Sequence, residues 1–517
     1  MNSLQLRLRC GATCLAFVFA SFASAQSADD WMSGFVMPVV KEPAIPAHVA
    51  RITDFGAVSG GRVLCTEAIA KAIDSVAAQG GGRVVIPPGI WLAGPIVLKS
   101  NVELRAEEGA LVQFSTDTKL FNGPALISGE NLENIAITGH GIFDGAGDAW
   151  RPVKHYKMTE VQWKALVASG GRVDAQQDMW YPSEGGFRRP RMLNLRSCRR
   201  VLLEDATFQN SPSWNINPAF CDDVTIRNLN IRNPWYSQNG DGLDLESCRN
   251  VIIRGTRLDV GDDALCMKSG AGAEARKSGR PTENVLIEDC TVYHGHGGFT
   301  IGSEMSGGVR NIRVNNCVFI GTDIGLRFKT QRGRGGVVEK IYLSNIQMTN
   351  IPTDAISFNM YYGGAGPTEE ADNGLVESKP AAVSEGTPQF RDIYIENVTC
   401  LGARRAVQLQ GLPEMPIAGI HLRNVSITAD QGLVCQDAKN ITLSGVEIVN
   451  SKGPVASFVG SRDITVDKLT YHAGADTLFK VFGKNNAGIA VRDTDAKGAK
   501  QAVELTNGAE AGAIKIE

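Results

Sequence analysis

Four short segments between residues 239 and 329 carry the residue types that can move protons and hold anions: D-G-L-D-L from Asp241, D-A-L-C-M-K from Asp263, G-G-F-T-I from Gly297 and I-G-L-R-F-K from Ile324. In each, two apolar residues recur with a period of two: Leu243 and Leu245, Leu265 and Met267, Phe299 and Ile301, Leu326 and Phe328. That is the period of a short, half-buried strand. Asp241, Asp262, Asp263, His296, Arg327 and Lys329 stand just before or between the apolar positions, where a strand register turns them away from the core. If the four strands are neighbours, one outer surface collects three carboxylates, an imidazole and two cations. Carboxylates that close resist simultaneous ionisation, so one keeps its proton while its neighbours are ionised. A carboxylic acid beside a carboxylate is the equipment for glycoside hydrolysis. Cations next to the pair suit a substrate that is itself a carboxylate, such as a uronic-acid sugar.

Taken singly, each feature is ordinary. G-D-D is mostly turn chemistry, a histidine in H-G-H-G-G is more often loop than catalyst, and Arg or Lys on an outer strand face is usually solvated. The argument rests on their coincidence on consecutive units of a repeat. That unit is a V/I-x-I/L/V core whose first apolar position falls at Val102, Ile135, Val201, Val224, Val251, Val285, Ile312, Ile341, Ile393, Ile420, Ile441 and Ile464. A recurrence of this kind marks a solenoid. Four positions on stand Asp205, Asn228, Gly255, Asp289, Asn316, Asn345, Asn397, Asn424 and Gly445, the types that tolerate positive φ. Strand, one-residue bend and second strand describe one coil of a parallel β-helix. Aligned positions in successive coils stack at about 4.8 Å, which brings Asp241, Asp262 and Asp263 within several ångströms of one another.

Other elements serve this scaffold. Ile69, Ile73 and Val76 recur at helical spacing after Thr66, which can cap, and Gly80 to Gly82 end the helix. Such a helix is expected to cover the open end of the strand stack. Insertions at about 145–190, with Trp150, Trp163, Trp180 and a capping box from Thr159, and at about 361–390 interrupt the repeat. Loops of this length commonly hang on the binding face.

Arg7 and Arg9, the apolar run from Ala12 to Phe22 and Ala23-Ser24-Ala25 read as a secretory signal over residues 1–25, cut near Ala25. The expectation is a secreted or periplasmic product, with an N-terminal extension over 26–49 and one β-helix domain over 50–517. The chain carries 52 Lys and Arg against 55 Asp and Glu, a balance that argues against nucleic-acid and membrane-surface partners. No later apolar run is long enough to span a bilayer. Of the 11 cysteines, Cys10 and Cys14 leave with the signal, and the odd remainder does not describe a complete disulfide framework. Cys198, Cys221 and Cys248 share one repeat position and Cys290 and Cys317 another, so they read as small apolar ladder residues.

The sequence resembles the polygalacturonase-type glycoside hydrolases of family 28. N-G-D at 239–241 is similar to the family's N-T-D, G-D-D at 261–263 to its G-D-D, G-H-G at 295–297 to its G-H-G, and R-F-K at 327–329 to its R-I-K. The resemblance runs from about Ile52 to beyond Tyr362 and implies an all-β fold, a right-handed parallel β-helix of the pectin-lyase type. It implies Asp262 as general acid, Asp241 and Asp263 as the pair that orients and deprotonates water, and inversion at the anomeric carbon. His296 would tune the acid, Arg327 and Lys329 would hold a galacturonate carboxylate, and Asn239 would support the sugar or a carboxylate. It implies neither metal nor other cofactor, and a pectic polysaccharide or oligogalacturonide as partner. Glu304, Lys268 and Tyr361 are further groove candidates. Gly240 replaces the motif's Thr, and Asn217 stands where many relatives have His. The Trp-rich insertion resembles that of bacterial exo-acting members. The alternatives are exo-removal of galacturonate from rhamnogalacturonan, a calcium-dependent pectate lyase and a non-catalytic glycan-binding β-helix.

Overall fold

The computed structural model describes residues 30–183, 188–363 and 375–517. The expected leader lies outside them, as does the 364–374 part of the second insertion. From Val49 to Ile516 the described chain winds into parallel strands that pair coil to coil. The repeat's first apolar residues stack in register, Val201 on Val224, Val251, Val285, Ile312 and Ile341, and all are fully buried. Early coils have three strands, as in Ile216–Ala219, Asp222–Arg227 and Asn230–Arg232. Two of these are the strands of the sequence repeat, and the third is the class that carries the candidate chemistry. Later strands run on through their bends, so that Val337–Asn359 and Gln389–Gln410 are each continuous.

The expected bends are present. Asp205, Asn228, Asp289, Asn316, Asn345, Asn397 and Asn424 have φ between 52 and 64°. Their amides form a ladder in which Asn316 Nδ2 donates to Asp289 Oδ1 at 2.7 Å and Asn424 Nδ2 to Asn397 Oδ1 at 2.6 Å. A second ladder went unread in the sequence. Asn134, Asp223, Asn250, Asn284 and Asn311, one residue before the first apolar position, also have positive φ. Asn311 Nδ2 donates to Asn284 Oδ1 at 2.7 Å and Asn284 Nδ2 to Asn250 Oδ1 at 3.0 Å. Each coil must turn on both sides of that strand, so it needs a left-handed residue at both places.

The helix α1, Thr66–Ala78, buries Ile69, Ile73 and Val76 against the first coil. Its cap differs from the expectation: Cys65 holds the cap position, and Thr66 lies inside the first turn. The Thr66 hydroxyl instead accepts a hydrogen bond from Gly94 N at 2.6 Å, tying the helix to a neighbouring loop. Ahead of the helix, the described part of the N-terminal extension runs back along the outside of the stack. The Trp31 ring lies 5.5 Å from the ring of His421, with the Arg423 guanidinium 4.1 Å from its centroid. Phe35 meets Tyr342, Asn311 Nδ2 donates to Val36 O at 2.8 Å, and Glu42 pairs with Arg227 at 2.5 Å.

All nine described cysteines are buried free thiols. A reducing agent is therefore expected to leave the thermal unfolding midpoint unchanged. A fall on reduction, read by calorimetry with and without reductant, would reveal a covalent cross-link.

The first insertion folds as the helix α2, Glu160–Ala168, with the expected Thr159/Gln162 capping box, and an antiparallel sheet of Val153–Lys154, Met179–Tyr181 and Arg172–Asp174. The fully buried Arg151 anchors it, donating to Ser211 O and Asn210 Oδ1, both at 2.8 Å. The described end of the second insertion lies across later coils. Gln436 Nε2 donates to Val376 O at 2.8 Å and Asn485 Nδ2 to Glu377 Oε1 at 3.2 Å.

Candidate active site

The four segments that open the sequence argument are adjacent strands, β1 (Leu243–Glu246), β2 (Leu265–Lys268), β3 (Gly297–Gly302) and β4 (Ile324–Lys329). Leu243, Leu265, Phe299 and Leu326 pair in register. Extended backwards, this register sets Asp241 beside Asp263, and Asp262 beside His296 and then Asp323. Glycines hold the chain tight to the core at this point. A Cβ at Gly242 would meet Leu258 at 2.6 Å, and one at Gly325 would meet Met348 Sδ at 2.2 Å. At Gly242 this close approach leaves the preceding Asp241 at the end of its strand.

The carboxylates of Asp241, Asp262 and Asp263 come within 4.8 Å of one another. Asp262 Oδ1 lies 3.1 Å from His296 Nδ1. Asp263 is clamped on both oxygens, by Arg327 at 2.8 Å and by Lys329 Nζ at 2.6 Å. Lys268, only 4% exposed, lies 3.9 Å from Asp241, 3.5 Å from Asp244 and 3.2 Å from Glu304, with the Trp214 ring 4.7 Å away. Asp241 and Asp263 are 3% and 1% exposed, so the trio opens to solvent chiefly through Asp262 and His296.

These environments push the carboxyls apart. Burial, then the charges of Asp244 and Asp262, raise Asp241 well above the usual carboxylate range. Burial brings Asp244 up to about 7 against the pull of Lys268. Burial also works to raise Asp263, but Lys329, Arg327 and Lys268 hold it far below the usual range. For Asp262 the burial effect is outweighed by the hydrogen bond and charge of His296 and the charge of Lys329, and this carboxyl is lowered. The three acids are close enough to share a cation. Arg327 and Lys329 already hold Asp263, whereas Asp241 Oδ1 has no hydrogen-bond partner among the described residues, and the opposed shifts suit the set to proton transfer.

The other candidates separate into groups. Glu304 rims the trio through Lys268, and Asn239 accepts from Arg189 at 2.7 Å. Tyr361 points away from the acids, with its ring under Arg332, which is held by Glu414. The next residue, Tyr362, takes the place expected of Tyr361: its ring lies 4.8 Å from Lys329 Nζ and 5.7 Å from Arg327. Asn217 is fully buried and donates to Asp244 O at 2.9 Å.

Sequence reasoning missed Asp244, Trp214, Tyr362 and two cations of the first insertion. Arg189 reaches Gln238 O at 2.6 Å as well as Asn239, and Lys157 Nζ lies 3.3 Å from His296 Nε2. Asp244 was legible, standing between Leu243 and Leu245 at an outward position. No local pattern marks Lys157, because only the folded insertion carries it to the histidine.

Residues 153–438 match the family model described as "Glycosyl hydrolases family 28". The chain is also 30% identical over 389 residues to "Probable polygalacturonase" of Vitis vinifera, covering 74% of each. The chain belongs to glycosyl hydrolase family 28. It is 26% identical over 479 residues to "Exo-poly-alpha-D-galacturonosidase" of Dickeya chrysanthemi, covering 83% of this chain and 75% of that one. Its fold matches the crystal structure of a hyperthermoactive exopolygalacturonase from Thermotoga maritima with a TM-score of 0.63 and 32% identity, over 75% of this chain and 89% of that one. This family 28 member is a glycoside hydrolase of the polygalacturonase type that hydrolyses pectin.

Proposed function

We propose that this hydrolase removes galacturonate from chain ends of polygalacturonate by inversion, and that it acts outside the cytoplasm after loss of residues 1–25. The observation that carries the exo reading is the first insertion, folded against the catalytic loops through Lys157 and Arg189. The second insertion lies across the coils beyond the cations. A groove walled in this way suits a chain terminus better than the middle of a polymer.

In this reading Asp262, the acid nearest solvent, gives its proton to the leaving glycosidic oxygen as the C1–O bond breaks. Water forms the new bond to C1 and yields its proton to the Asp241 and Asp263 pair. The trio is tighter than the roughly 6.5–9.5 Å usual for inverting pairs. A carboxylate nucleophile is nonetheless disfavoured, because Asp263 is clamped on both oxygens and Asp241 is almost fully buried. Water is the smaller group that reaches C1 past them. Arg327 and Lys329, beneath Tyr362, supply the charge that receives the sugar carboxylate. Protonation of Asp262 removes one of the charges that raises Asp241, so the two carboxyls exchange a single proton.

A time course on polygalacturonate, with products resolved by size, tests this. Monomer or dimer from the first minutes is expected, and a broad ladder of intermediates would mean endo-cleavage. Parallel digestion of rhamnogalacturonan separates the two exo substrates. Loss of activity in chelator, with unsaturated ultraviolet-absorbing ends, would instead indicate a lyase.

A further inference from the structure

The amine of Lys157 has three acceptors around it. Its Nζ lies 3.3 Å from Trp235 O, 3.3 Å from Gly261 O and 3.3 Å from His296 Nε2. An ammonium has three protons and no lone pair, so it donates to all three and keeps nothing for a substrate. The side chain is therefore unsuited to sugar binding, although it reaches the catalytic loops. Its hydrogen bond to His296 has a chemical consequence. Nε2 can accept only if it carries no proton, which leaves the single imidazole proton on Nδ1, facing Asp262 Oδ1 at 3.1 Å.

We propose that Lys157 is a positioning residue, supplied by the insertion, that holds His296 neutral and protonated on Nδ1 so that Asp262 stays in its proton-bearing form. The charged groups facing the ring are Asp262, Lys157 and Asp323, whose Oδ2 is 3.7 Å from Nε2 and half-exposed. Asp323 favours a charged imidazole, whereas Lys157 opposes it. A charged imidazole in contact with Asp262 would draw its proton off and disable the acid, whereas a neutral one withdraws that charge and leaves only its hydrogen bond and Lys329 acting against burial. Burial lowers the affinity of Lys157 for a proton, and the charges of Asp262 and Asp323 reverse only part of that fall. The insertion that narrows the groove thereby also sets the state of the catalytic histidine.

This inference rests on Asp262 as the acid, and the test separates the two. Lys157→Met and Lys157→Arg are compared with the native enzyme on a short oligogalacturonide, with kcat and KM followed across pH. Histidine nitrogen resonances are followed by NMR without turnover, using His296→Gln for assignment. In Lys157→Met, His296 faces only the carboxylates of Asp262 and Asp323, and its Nε2 is free to carry a proton. Its kcat should then fall about tenfold relative to the native enzyme at mildly acidic pH, and stay close to native at neutral pH. Lys157→Arg, which still donates, should keep the native profile shape. The native NMR spectrum should show Nε2 unprotonated at mildly acidic pH, and Lys157→Met should show both nitrogens protonated. A doubly protonated His296 in the native enzyme would overturn the proposal whatever the role of Asp262. So would a uniform loss across pH with raised KM in Lys157→Met, which would mark the lysine as a tie for the insertion only.

Discussion

Asp262→Asn is expected to lower kcat by about three to four orders of magnitude, at the upper end of what a positioned general acid contributes. KM and the thermal midpoint should change little, because the amide has the same shape and can keep a contact with His296. Reducing-sugar release by the purified variant checks this, and near-native rates would remove Asp262 from the role of acid. The same group sets the pH dependence. Catalysis needs a proton on Asp262 and none on its partner, so the rate falls as rising pH strips that proton. Because His296 and Lys329 lower Asp262 while burial raises its neighbour Asp241, the pair keeps one shared proton into the weakly acidic range, where the optimum is expected. A rate still climbing above about pH 8 would contradict the assignment.

Lys329→Met should be the most damaging change to stability. Asp263 is 1% exposed, and Lys329 Nζ holds its Oδ2 at 2.6 Å. Breaking a buried ion pair on one side costs about 3–5 kcal/mol when the charge is left uncompensated, and Arg327, still on the other oxygen at 2.8 Å, should hold the loss to the lower end of that range. The denaturation midpoint should fall accordingly, with activity abolished as the clamp on Asp263 opens. Adding Asp263→Asn removes the under-compensated charge but takes the carboxylate from Arg327, so the double variant should regain part of the lost stability and none of the activity. Additive losses in that cycle would mean that the two groups do not interact as their geometry requires.

What the sequence made legible follows from period. Strand alternation placed the apolar pairs of β1 to β4 inward, and the repeat aligned Asp241 with Asp263 and Asp262 with His296, as the coordinates have it. The asparagine bends were readable because only a few residue types accept positive φ. Lys157 and Arg189 were not readable, because neither lies in the repeat and their positions depend on how an aperiodic insertion packs. Tyr362 was not readable beside Tyr361, because the chain leaves its strand at Asn359, where alternation no longer says which side chain faces the cations. The buried state of Lys268 likewise depends on three carboxylates and Trp214 drawn from separate coils.

The segment from Trp31 to Glu42 bears on how the molecule assembles. A stack of repeats can ordinarily grow rung by rung, each addition needing only its neighbour. Here the earliest described residues dock on side chains as late as His421 and Arg423, so their seat does not exist until most of the polypeptide has been made. The tether then spans many rungs at once and makes local fraying anywhere beneath it a shared loss. Removing the residues that precede Glu42 should thus broaden a single sharp melting transition into a gradual one while the catalytic centre stays chemically intact.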